Sequence, residues 1–204
     1  MAFRKTFLVI VSVALICGVA ASASAFSEEG IYDMLENAYQ FCPPALKSYL
    51  QQNQQYVRWG AGIATRWERV RLDPWELEAI YRKLVANLKS GKAGEFQTAK
   101  RFGVLAGFVA ETILPGPVYI NRLDYEPAKV VYEGYAQRPD LKSRIAYLMV
   151  QYRAKHAWDT NPESLQPLYQ KAVNEIVDLW VSAWKEAGLD ISGVAERGTT
   201  VATR

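Results

Sequence analysis

The stretch from Phe102 to Pro117, FGVLAGFVAETILPGP, limits what this chain can fold into more than any other segment. It has the length of a buried helix, and beyond the N-terminal run it is the most apolar segment of the chain. Small residues punctuate it at Gly103, Ala106, Gly107 and Ala110. A helix without bulky side chains at such points lets a neighbouring backbone come close. One acid, Glu111, lies near its end, and Pro115-Gly116-Pro117 stops it. The stretch reads as the central helix of the fold, to be surrounded by others.

The rest of the chain supplies those others. Apolar residues recur at helical spacing and no alternating strand pattern emerges, so the expected class is all-α, a single-domain multi-helix bundle. A first helix is expected from about Glu28 to Phe41, with Ile31, Met34, Leu35, Ala38 and Phe41 on one face. Pro43-Pro44 opens a second, carrying Leu46, Tyr49, Leu50 and Val57, which Gly60-Ala61-Gly62 is expected to break. Asp73-Pro74-Trp75-Glu76 is a helix start whose helix ends near Ser90-Gly91, and the central helix begins near Glu95. Val118 to Tyr125 reads as irregular and Glu126 to Ala136 as a short helix. Another helix follows Pro139-Asp140 and closes on Arg153, Lys155 and His156. The last long helix opens at Asn161-Pro162-Glu163, and Gly188 stops it.

The N-terminus is read apart from the fold. Arg4 and Lys5 precede an apolar run from Phe7 to Ala20, and Ala23-Ser24-Ala25 is a small-residue cleavage site. Residues 1–25 are expected to be a secretory signal cut before Phe26. The run is short for an uncleaved anchor, and Ile16 before Cys17 does not suit a lipoprotein. The domain then spans 26–191, residues 192–204 form a flexible tail, and the protein is expected in the periplasm or outside the cell, with no transmembrane segment after cleavage. Loss of Arg4 and Lys5 takes the formal charge from +3 to +1. A nearly neutral domain gives no electrostatic case for nucleic acid as a partner. The Arg66, Trp67, Arg69 and Arg71 group is better read as a packed tryptophan among ion-paired arginines. Cys42 is the one cysteine left after cleavage, so no intrachain disulfide forms and packing must hold the fold. Beside Phe41 and Pro43 it reads as a small buried hydrophobe.

Catalytic chemistry is poorly provided for. His156 is the only histidine and sits at a helix end without a visible partner. One histidine and one cysteine far apart make poor zinc ligands, and no EF-hand spacing appears. The phosphate-loop, dinucleotide and nucleophile-elbow glycine patterns are absent, as is the covalent haem motif. No catalytic residue, metal ligand or cofactor is therefore assigned. The polar and aromatic residues that stand out follow the central helix: Tyr119, Asn121, Arg122, Asp124 and Tyr125, with Glu111 and Pro115 before them. Loops after a buried helix often carry function, although the residues favour a loop pinned as structure by an Arg122–Asp124 pair.

Three segments resemble the exported all-helical proteins related to zinc-dependent phospholipase C, a fold shared with zinc-dependent single-strand nucleases. Ile31 to Leu50, IYDMLENAYQFCPPALKSYL, is similar to a family segment in which a helix of A-L-x-x-L-P type leads into P-x-L-x-x-Y-L. Ala99 to Pro117 resembles A-x-x-L-G-x-L-x-H-Y-x-x-D-x-x-x-P-x-H, and Val177 to Trp184 a terminal L-W-x-x-A-W. In the second segment Gly103 matches the glycine, Phe108 the aromatic, Glu111 the acid and Pro115 the proline. The two histidine ligands become Gly107 and Pro117, and Gly30 and Ile31 stand where another is placed. Family enzymes can also use a mature N-terminal tryptophan, where Phe26 would stand here. The resemblance implies a retained scaffold without its zinc, a pseudoenzyme whose lost active site would open at Glu111, Pro115 and the Tyr119 to Tyr125 loop. It suggests a binding or structural role with an envelope protein, lipid or peptide. The alternative is a phosphodiester or ester hydrolase with a cation held by Glu111 and Asp124.

Overall fold

A computed structural model describes residues 28–66, 74–91, 94–114, 130–136 and 162–194. They form six helices: α1 (Glu28–Phe41), α2 (Pro44–Gln52), α3 (Gln54–Arg66), α4 (Pro74–Ser90), α5 (Glu95–Ile113) and α6 (Pro162–Glu186). No strand forms among the described residues, so the expected all-α class holds. No described helix is long and apolar enough to cross a membrane.

The second expected helix is two. Asn53 ends α2: its backbone N–H and its side-chain Nδ2 both donate to the Tyr49 carbonyl, at 3.2 and 3.0 Å. Its own carbonyl accepts from Tyr56 and Val57 and so starts α3. The polar run from Gln51 to Gln55 conceals this break between the two helices. The expected break at Gly60-Ala61-Gly62 does not occur, because α3 runs through it to Arg66.

The reason lies in α5. Its buried residues include Phe102, Gly103, Leu105, Ala106, Gly107 and Val109, as a central helix requires. A Cβ placed on Gly103 would overlap the Val57 carbonyl, and one on Gly60 would overlap the Lys100 carbonyl. A Cβ on Gly107 would lie 2.7 Å from the Ala61 oxygen and 2.8 Å from the Ala64 Cβ. The two helices meet backbone to backbone and run in the same direction, Gly60 facing Lys100 and Ala64 facing Gly107. The glycines of α3 are therefore contact points, and the helix tolerates their weak intrinsic preference because the crossing needs them.

α6 closes the core from the other side. Trp180 is fully buried, stacks on Tyr39 of α1 at 5.8 Å and meets Phe102 of α5 edge-on at 6.0 Å. Its Nε1 donates to the Phe102 carbonyl at 3.0 Å, so the largest core side chain has its polar atom satisfied. Gly188 stops the helix as expected, at φ +82°. Leu189 N–H donates to Trp184 O and Gly188 N–H to Lys185 O, the paired bonds of a glycine-terminated helix. Beyond it, Ser192 bonds to Asp190, and Val194 still packs on the core.

Residues 130–136 are not the expected short helix. They form an extended strap held by one face of α6. Asn174 accepts from the Glu133 N–H at 2.9 Å and donates to the Val131 carbonyl at 3.0 Å, doing for the strap what a neighbouring strand would do. Asp178 accepts from the Tyr132 hydroxyl at 2.9 Å, and Ser182 bonds to the Tyr135 hydroxyl at 3.2 Å. Gly134, at φ +92°, supplies a bend no helix contains.

Candidate functional site

Of the candidate binding residues named from the sequence, the described structure contains Glu111 alone. Pro115, Tyr119, Asn121, Arg122, Asp124 and Tyr125 lie outside the described residues, as do Trp67, Arg69, Arg71 and His156. Glu111 is half-buried near the end of α5. Lys100, Val104 and Glu111 follow helical spacing along that helix, with Glu111 about 10 Å beyond Val104 along its axis.

That same side of α5 borders a groove of about 230 Å³. α3 contributes Ile63 and Ala64, α4 contributes Ile80 and Lys83, and α5 contributes Gln97, Lys100, Arg101 and Val104. The close α3–α5 crossing sets two walls, and α4 returns alongside α5 as the third. Val104 is buried, Ile63, Ala64 and Ile80 are half-buried, and Lys83 and Gln97 reach solvent. The groove thus has an apolar lining with cations around it.

Lys83, Lys100 and Arg101 line this space with cationic side chains and, among the described residues, none is paired with a carboxylate. Arg101 is the most constrained. Its Nη1 donates to the Gln97 carbonyl at 3.1 Å. The Asn87 amide, oriented with its oxygen toward Arg101, accepts from the same Nη1 at 2.5 Å and donates to the Lys83 carbonyl at 3.2 Å. Burial lowers the guanidinium's hold on its proton below the ordinary value, the sign of a charge short of solvent. With Nη1 anchored, the Nε and Nη2 side of the fork is left to meet an oxyanion.

Lys100 lies between two environments. Its Nζ sits 4.1 Å from the Trp59 ring centroid, and its side chain lines the groove. Trp59 is 47% exposed and stacks on Phe96 at 5.3 Å, while Tyr56 meets Phe96 edge-on at 5.1 Å. An aromatic ledge therefore adjoins Lys100.

Sequence reasoning passed over these cations. The available signal was Lys100-Arg101, two adjacent positive charges in the N-terminal half of the most apolar helix, where the helix dipole does not call for them. Lys83 gave no such signal, because its place in the groove depends on how α4 packs.

Away from the groove, Cys42 is buried in the core, its thiol donates to the Ala38 carbonyl, and burial pushes its pKa up. No family model, curated protein or solved structure matches this chain.

Proposed function

We propose that this chain is an exported, non-catalytic binding protein of the cell envelope, built on a phospholipase C-like helical scaffold, and that it takes an anionic ligand in the α3–α4–α5 groove. The observation that carries the binding role is the set of three cations with no carboxylate partner among the described residues, around a partly apolar groove. A partly buried arginine loses hydration, and a bound oxyanion restores that interaction.

Position 107 supports the non-catalytic part. The resemblance assigns a zinc-binding histidine there, but Gly107 is pressed against Ala61 and Ala64, with no room for a Cβ. Gly30 and Ile31 provide no side-chain ligand, and among the described residues no three His, Cys, Asp or Glu side chains come together. These residues do not fit a zinc cluster. The leader-like residues 1–25 support export.

Envelope-purified protein is expected to begin at Phe26 and to bind inorganic phosphate by calorimetry, with Arg101→Gln weakening that binding about tenfold. An uncleaved cytosolic product would overturn the export reading. Absence of phosphate binding, or binding unchanged in Arg101→Gln, would overturn this groove as an anion site.

A further inference from the structure

We infer that the groove's ligand is an amphiphilic anion: a phosphate or carboxylate head held by Lys83, Lys100 and Arg101, carrying a short alkyl stem that covers Ile63, Ile80 and Val104. The inference rests on the proposed anion-binding role and adds the chemical class of the ligand.

The cations alone would accept any small oxyanion. The apolar side of the groove sets a second requirement. Half of its lining residues, Ile63, Ala64, Ile80 and Val104, offer only carbon to a ligand. The first three remain part-exposed, so apolar surface stays in water until something covers it. Inorganic phosphate satisfies the cations and leaves that surface wet. A neutral alkyl chain does the reverse. An alkyl anion meets both demands in one molecule.

Size narrows the class further. A volume of 230 Å³ falls below the usual range for drug-sized ligands, which favours a head with a short stem. The molecule could be a free short-chain alkyl phosphate or carboxylate, or the anionic part of a membrane lipid.

Geometry also provides a reporter. Lys100 borders both the Trp59 ring and the groove. When its ammonium turns to an anion it leaves the ring, and Trp59 emission changes.

The test uses the mature chain with inorganic phosphate, hexyl phosphate and hexanoate, followed by calorimetry and tryptophan emission. Hexyl phosphate is expected to bind at least about tenfold more tightly than phosphate, because each buried methylene adds favourable transfer energy. Ile80→Ser should weaken hexyl phosphate more than it weakens phosphate and so reduce that advantage. Arg101→Gln should weaken all three ligands, and Arg101→Lys should keep part of the affinity as a point charge without the fork. The emission change should vanish in Lys100→Gln and in Trp59→Phe, with circular dichroism melts verifying that each variant is folded. Sedimentation with phosphatidylglycerol vesicles, but not phosphatidylcholine vesicles, would assign the head to a lipid. Hexyl phosphate binding without sedimentation would assign it to a free amphiphile. Equal affinity for phosphate and hexyl phosphate, both lost in Arg101→Gln, would overturn the amphiphile and leave the anion site standing. Binding of hexyl phosphate that survives Arg101→Gln and Lys100→Gln together would overturn this location.

Discussion

Glycine has opposite consequences at neighbouring points of the α3–α5 contact. Gly103 and Gly60 lie where any side chain would enter the facing backbone. Gly62 belongs to the same run, yet a Cβ there meets nothing within 4 Å among the described residues. Gly103→Ala is therefore expected to destabilise by about 1–3 kcal/mol, since the helices must separate to admit a methyl group. Gly62→Ala is expected to stabilise by up to about 1 kcal/mol through helix preference alone. Denaturant midpoints of the two variants provide the check, and equal shifts would contradict the crossing. The sequence made half of this contact readable. Gly103 and Gly107 stood out as approach points because they interrupt an apolar helix. Gly60 and Gly62 resembled a helix break, because nothing local separates a glycine that ends a helix from one that receives another.

At the level of elements, the strap at 130–136 and α6 define each other. Asn174, Asp178 and Ser182 recur every four residues on α6 and bond to Val131, Tyr132, Glu133 and Tyr135. Asn174→Ala leaves the Val131 carbonyl and Glu133 N–H without those partners, at an expected cost of about 1–3 kcal/mol. Hydrogen exchange should accelerate at Glu133 while the helical content persists; unchanged exchange there would refute the bracing role. Helices α1, α4, α5 and α6 were legible because caps, prolines, glycine stops and apolar spacing agree within each one. The strap was not, because its hydrogen-bond partners are side chains some forty residues away, as in Glu133 to Asn174. The polar residues of α6 held a clue: Asn174 and Asp178, buried beside its apolar face, require something to bond.

Across the whole molecule, cohesion comes from packing, with Cys42 free and buried. Tyrosines mark how far that packing extends: burial raises Tyr39, Tyr81 and Tyr169 above the ordinary 10.0. Above pH 10 the unfolded chain releases these protons while the folded chain retains them, so stability is intact below pH 10 and falls as pH rises beyond it. In an alkaline titration, the part of the tyrosinate absorbance that is lost in Tyr39→Phe, Tyr81→Phe and Tyr169→Phe should rise together with loss of helical signal. That part appearing before unfolding would show these rings to be accessible. The groove was the least legible feature, because its walls come from three helices and their spacing belongs to none of them alone. The α3–α5 contact also has a consequence for descent with modification. Two walls whose separation is set by main-chain atoms cannot be widened or narrowed by exchanging side chains. Ligand preference can drift mainly through α4, at Ile80 and Lys83, while α3 and α5 persist as an inherited gauge.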